Sequence, residues 1–307
     1  MVADGLISMF MEKYAADYIK KMADEAEYDQ SPYSLHQKNA TNSDNLMELL
    51  GSEMKRAHNF ESFTFKMPHY CDYCRNYLWG IISNGYRCTN CSFAAHKKCS
   101  EKARLDCRPE AKYVKRMFAV DLTTLCIAHS VTIAPVFKQC IIEVERRGLQ
   151  MEGIYRVSAS HEQMDRLRKQ FDTNPTSVNL QEVDDIHTVA GLLKLYLRLL
   201  PQQLVPFSNF QILCEAYERS SNTIERGKNV RKALGMLDKC NCYTLEALLC
   251  HLRNVAKNAD KNKMSVANIS TIFSPTVFCS GIIPSLPQQQ HTLLQFLILT
   301  EGIVPYV

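Results

Sequence analysis

From Phe118 to the C-terminus, apolar residues recur at every third or fourth position, the period of helices with one buried face. Val136, Phe137, Cys140, Ile141 and Val144 share such a face, and Gly148 after Arg146 and Arg147 reads as its stop. Ser160 and Gln163 have capping-box spacing, with Met164, Leu167 and Phe171 as the buried stripe that follows. Leu245, Leu248, Leu249, Leu252 and Val255 mark another helix. Between His187 and Leu204, Leu192, Leu193, Leu195, Tyr196, Leu199 and Leu200 cover most of a helix, and His187, Gly191, Lys194 and Arg198 are gathered onto one narrow cationic strip. Further on, Asn268 sits in an apolar helical pattern that stops at Ser274–Pro275.

Upstream the pattern changes twice. Residues 1–22 are helix-prone, with Leu6, Phe10, Tyr14 and Tyr18 on one face, and 23–57 are polar and read as a linker. Residues 58–107 are dominated by cysteine and histidine, and 108–117 form a short charged joint to the helical region 118–307. There is no internal repeat.

At 307 residues, 46% hydrophobic and 22% charged, the chain has material for roughly two globular domains. A net charge of +4 is too mild to point to nucleic acid. No apolar run approaches the ~18 residues of a membrane span, and the N-terminus lacks signal-peptide order, so a cytosolic chain is expected. In that compartment the thirteen cysteines read as metal ligands or buried thiols rather than disulfides. Six lie between Cys71 and Cys107 and seven are scattered from Cys126 to Cys279, so a metal domain precedes an ordinary one.

His58, Cys71, Cys74, Cys88, Cys91, His96, Cys99 and Cys107 give the spacing H-x12-C-x2-C-x13-C-x2-C-x4-H-x2-C-x7-C. Each C-x2-C lets two thiolates grip one ion from a tight turn, and eight ligands make two closed tetrahedral zinc sites with no position for a catalytic water. A segment with so little apolar material needs such staples to fold. The segment resembles a C1 domain, the diacylglycerol/phorbol-ester-binding zinc module, at all eight ligand positions. The resemblance implies interleaved pairing: His58, Cys88, Cys91 and Cys107 around one zinc, and Cys71, Cys74, His96 and Cys99 around the other. It also implies a lipid groove between two loops, formed by Met67, Pro68, Leu78, Trp79, Gly80, Ile81, Asn84 and Gly85, with Ile82 extending the apolar rim. Lys66, Arg87, Lys97 and Lys98 would meet anionic headgroups. Asn84 stands where lipid-binding members carry a glutamine that ties the two loops, and the shorter amide is expected to tie them less well.

The stretch MEGIYRVSAS, Met151 to Ser160, sets Arg156 among Ile154, Tyr155 and Val157. Its side chain is either a structural tie or is pushed outward to act on another molecule. Gly153, Ile154, Tyr155, Arg156 and Ser158 match the arginine-loop pattern of the RhoGAP domain. Lys194, Arg198, Leu200 and Pro201 match its K-x-x-x-R-x-L-P helix, and Asn262, Lys263, Met264 and Asn268 match its N-K-M-x-x-x-N helix. Residues 118–307 therefore resemble that GTPase-activating module, with Ala159, Gln203 and Ser274 as departures from its pattern. The resemblance implies an all-helical domain in which Arg156 is an arginine finger offered in trans to a GTP-bound Rho-family GTPase. Lys194 and Arg198 would brace the finger loop and the GTPase switch region, and Asn268 would contact the GTPase. As GTP hydrolyses, charge develops on phosphate oxygens, and a planar, always protonated guanidinium neutralises it.

A C1 domain followed closely by a RhoGAP domain is the order found in the chimaerins, which this chain resembles also in His69 beside Pro68 and in the Asp121–Leu125 segment. That resemblance implies a Rac-directed activator, cytoplasmic until diacylglycerol recruits it to the membrane periphery. Residues 1–22 resemble the last stretch of an Src-homology-2 domain, so no phosphotyrosine binding is expected, and a more open arrangement than in longer forms is. A non-catalytic GTPase-binding adaptor stays open as the alternative. A zinc-finger nucleic-acid binder is disfavoured by the Trp79–Ile82 rim and the charge, and an intrinsic hydrolase by closed zinc sites and the lack of a Gly-rich phosphate loop.

Overall fold

The computed structural model describes residues 56–80, 82–219, 222–278 and 287–305. The readings made on residues 1–22, on all but the last two linker residues and on Ile81 lie outside the described residues.

The cysteine-rich region is a small antiparallel sheet, β1 (Phe60–Phe63), β2 (Gly85–Cys88) and β3 (Ala94–Ala95), followed by the single-turn α1 (Lys97–Ser100). Phe60 pairs with Cys88 and Phe63 with Gly85, while Tyr86 pairs with Ala95. Gly85 admits no side chain: a Cβ there would lie 2.9 Å from Phe65 and 3.0 Å from Leu78. The apolar cluster within is only Cys71, Leu78, Ala94 and Ala95, padded by Phe60, Phe65 and Phe93.

The rest is helical: α2 (Leu122–His129), α3 (Pro135–Arg147), α4 (His161–Thr173), α5 (Ile186–Arg198), α6 (Phe207–Glu218), α7 (Thr223–Leu234), α8 (Lys239–Lys257), α9 (Ala259–Asn262), α10 (Val266–Val277) and α11 (Pro287–Leu299). Polar side chains start several of them: Asp121 accepts from the Thr124 amide, Ser160 from Gln163, Asp185 from His187 and Ser265 from Asn268. The predicted faces of α3 and α8 are buried as expected, and Gly148 caps α3. Helix α5 packs against α3, α4 and α10, which explains why so much of its circumference is apolar.

Two expectations need correction. Helix α10 does not stop at Ser274–Pro275 but carries Pro275 inside and ends at Val277. Phe273, Val277 and Phe278 are all fully buried, and the Phe278 amide still bonds the Ser274 carbonyl at 3.0 Å, so packing outweighs the one bond the proline forfeits. The strip on α5 is only partly open: Arg198 is exposed and Lys194 half-buried, but Gly191 is buried. Within the charged joint, Val114 and Met117 enter the helical core, and the Met117 and Phe118 amides donate to Asp172 Oδ1 at 2.8 and 3.0 Å.

Arg56 ties the two regions. Its main chain bonds Leu105 and Cys107, and its Nη2 reaches Asp121 Oδ1 at 2.7 Å and the Thr124 hydroxyl at the start of α2.

Candidate functional site

After α3 the chain makes a tight turn in which Gly153 and Tyr155 both have left-handed backbone, φ +69° and +68°. Glycine is required at 153 because a Cβ would also lie 2.8 Å from Val157. Tyr155 has no such freedom, and its conformation costs on the order of 1–2 kcal/mol, a strain that persists only where surrounding contacts over-determine it. The turn buries Ile154 and Tyr155 completely and sends Arg156 and Val157 to the surface. Among the described residues the exposed Arg156 guanidinium makes no hydrogen bond or ion pair with another side chain.

Lys194 on α5 donates from Nζ to the Tyr155 carbonyl. Burial, helped by the charge of Arg198, pulls its ammonium below the ordinary lysine range. Arg198 lies one turn on, exposed, with Nε 3.4 Å from the Lys194 carbonyl. Asn268 is exposed near the start of α10, its Nδ2 donating to the Lys263 carbonyl at 3.0 Å. Lys194 therefore touches the arginine loop directly, while Arg198 and Asn268 are exposed to solvent, each bonded only to a carbonyl of its own neighbourhood.

Asn262 matters more than its place in a motif suggested. It is buried, donates to the carbonyls of Leu149 at 2.7 Å and Val255 at 2.8 Å, and accepts from the Met264 amide at 2.7 Å. Its own backbone carbonyl accepts from the Gly153 amide at 2.8 Å, so side chain and main chain together join the start of the arginine loop, at Leu149 and Gly153, to α8. The signal in sequence was only an asparagine within a family motif, with nothing to mark it as a clamp. Ala159, which replaces a usual glycine, fits because it packs over Gly191: a Cβ at 191 would lie 3.0 Å from that of Ala159 and 2.6 Å from Met164 Sδ.

In the cysteine-rich region His58, Cys88, Cys91 and Cys107 form one group and Cys71, Cys74, His96 and Cys99 another, the ligand atoms of each lying within 4.8 Å of one another. This is the pairing that the C1 resemblance implied. The Sγ atoms of Cys88 and Cys107 are 3.7 Å apart, and Cys91 Sγ is 3.3 Å from His58 Nδ1. Tetrahedral bonds of ~2.3 Å put ligand sulfurs about 3.8 Å apart, so the set fits zinc. Each histidine turns its other nitrogen outward, His58 Nε2 to Asp106 at 3.2 Å and His96 Nε2 to the Tyr77 carbonyl at 3.0 Å, which leaves Nδ1 for the metal. Two structural zinc ions suit these donor sets.

At the far end of the same region Met67, Trp79 and Ile82 are 76%, 80% and 80% exposed, with Pro68 and Gly80 exposed beside them. Gly80 has φ +127°. Leu78 departs from the expected groove lining: it is buried in the small core against Gly85. Asn84 departs from expectation too. Its Oδ1 accepts from the Phe65 amide at 2.7 Å, and its Nδ2 lies 3.1 Å from the Phe65 carbonyl and 3.2 Å from that of Gly80. The shorter amide ties both loops.

Residues 58–110 match the phorbol esters/diacylglycerol binding domain (C1 domain) family, and residues 134–281 match the RhoGAP domain family. N-chimaerin of Homo sapiens is 32% identical over 346 residues, covering 99% of this chain and 75% of its own length. Beta-chimaerin of Mus musculus is 37% identical over 225 residues, 73% of this chain and 68% of its own. The crystal structure of human Rho GTPase activating protein 15 superposes with a TM-score of 0.57 at 29% identity, over 62% of this chain and 96% of that one. Among the described residues no helix is long and apolar enough to cross a membrane. With both motif sets assembled and relatives this similar along nearly the whole chain, the chain belongs to the chimaerin family, in which a diacylglycerol-binding C1 domain precedes a RhoGAP domain that activates GTP hydrolysis by Rho-family GTPases.

Proposed function

We propose that the chain accelerates GTP hydrolysis by Rac, with Arg156 as the arginine finger, after diacylglycerol has brought it to a membrane. The observation that carries this reading is the exposed Arg156 on a strained turn whose preceding residues, Gly153 to Tyr155, are buried and clamped by Lys194 and Asn262. A guanidinium held outward without an intramolecular partner is available to phosphate oxygens on another protein. Lys194 keeps the loop in place and, with Arg198 and Asn268, offers polar contacts to the GTPase. His58, Cys88, Cys91 and Cys107 hold one zinc and Cys71, Cys74, His96 and Cys99 the other, fixing two loops whose Met67, Pro68, Trp79 and Ile82 enter the lipid. Asn84, Gly80 and Gly85 shape the groove between those loops, and Leu78 supports it from beneath.

The test is GTP hydrolysis by purified Rac and Rho with the full chain and with Arg156→Ala. Wild-type acceleration falls by about 10³-fold or more in the variant, with GTPase binding retained and Rac favoured over Rho. Binding without acceleration in the wild type would establish the adaptor instead.

A further inference from the structure

Behind Arg156 a line of buried polar side chains runs from α3 through α8 to the arginine loop. The Glu145 carboxylate on α3 accepts from His251 Nδ1 at 2.9 Å and from Asn254 Nδ2 at 3.0 Å, both on α8. The other ring nitrogen, His251 Nε2, is hydrogen-bonded to the Tyr155 hydroxyl. The His251 side chain is fully buried and that of Glu145 nearly so. With a carboxylate at Nδ1, a neutral imidazole carries its proton there, so Nε2 accepts and the phenol donates. Burial drives the Tyr155 phenol well above its usual range and keeps it a donor. Burial alone would raise the Glu145 carboxyl too, but the hydrogen bonds it accepts from His251 Nδ1 and Asn254 Nδ2 outweigh that and hold it below the ordinary carboxylate range.

Such a line is costly in an apolar interior unless every member is paired, and shape-matched hydrophobes would fill the space as stably. Its far end explains its presence. Tyr155 is the non-glycine residue with φ +68°, immediately before Arg156. Its ring stands edge-on to Phe273 at 4.9 Å between centroids, and its carbonyl accepts from Lys194. Held at its oxygen, ring and carbonyl, Tyr155 has one orientation, so the chain enters Arg156 in one direction.

We infer that Glu145, His251 and Tyr155 form a positioning relay that holds the arginine-bearing turn in its strained, outward conformation. The inference rests on Arg156 being the finger, and the three residues act through it rather than on the nucleotide.

The test uses the full chain and single-turnover hydrolysis by GTP-loaded Rac and Rho, titrated so that the saturating rate separates from the half-saturating concentration. Tyr155→Phe removes one oxygen. It lowers the saturating rate about tenfold, as misplacing a reacting group does, and leaves the half-saturating concentration unchanged. Glu145→Ala has the same effect, whereas Glu145→Gln, whose amide oxygen still accepts from His251, recovers most of the rate. In an Arg156→Ala background Tyr155→Phe has no further effect, because the hydroxyl acts only through the arginine. A lowered melting temperature with an unchanged saturating rate overturns the relay, and so does a loss that adds to that of Arg156→Ala. Should Tyr155→Phe not fold, equal rates for Glu145→Ala and Glu145→Gln would overturn it. Full activity of Arg156→Ala alone would instead sink the finger reading on which the relay stands, a result that involves none of the three residues.

Discussion

In the cysteine-rich region the shared apolar core is Cys71, Leu78, Ala94 and Ala95, whereas in the helical region one continuous cluster runs from Val114 to Val304. The first region is determined by where ligand atoms meet and the second by where apolar stripes meet. The difference shows in how each presents its site. The zinc ligands hold up loops whose Met67, Trp79 and Ile82 have nothing beneath to bury them. The helical core, by contrast, buries Ile154 and Tyr155 so firmly that Tyr155 can hold a strained backbone and the residue after it, Arg156, is left exposed. A small domain spends its cohesion on metal and leaves apolar surface for lipid, while a large one has enough packing to hold a loop in an unfavourable conformation.

Removing zinc should separate the two regions most sharply. Structural zinc contributes apparent binding free energies of ~10–16 kcal/mol to small metal-dependent folds. Chelation, or Cys71→Ser, is therefore expected to abolish binding to diacylglycerol vesicles while far-UV circular dichroism keeps the helical signal. Coincident loss of both would show that the helical region depends on the metal. The reverse perturbation is Leu248→Ala on α8. Leu248 is fully buried in the large cluster, and truncation costs about 2–5 kcal/mol, read as a lower melting temperature of the helical transition with vesicle binding untouched. Trp79→Ala sharpens the contrast from the lipid side: several-fold weaker vesicle association, with no change in either melting transition, since the ring is exposed before it meets lipid. The smallest effect is expected of Arg56→Ala, which breaks the contact with Asp121 and Thr124. A partly exposed pair of this kind is worth about 0–1 kcal/mol, so melting temperatures should barely move. A large shift would mean that the two regions unfold as one.

Much of this was legible in one dimension. The C-x2-C pairs with two histidines announced eight ligands, and the apolar period announced α3 and α8, because both signals are local and repeat at fixed spacing. Arg156 stood out because an arginine between apolar neighbours is unusual. The interleaved ligand pairing came from resemblance and not from spacing, since a chain of ligands has several ways to divide between two ions. Leu78 was read as a lining residue of the lipid groove because an exposed and a buried leucine look the same in a loop. Asn84 was read as a weak tie because side-chain length was known and the distance it had to span was not.

Residue order alone established the class of each region, the ligand residues for two zinc ions and the one arginine with no local reason to be where it is. Tertiary structure decided which groups share a neighbourhood: that Gly191 makes room for Ala159, that Asn262 clamps the arginine turn, and that Glu145, His251 and Tyr155 line up behind it. The physical reason is one of range. Helical period, capping and ligand spacing act between residues a few positions apart, whereas Glu145 and His251 stand 106 positions apart in the chain. Their meeting depends on how α3 and α8 pack, which no local spacing encodes.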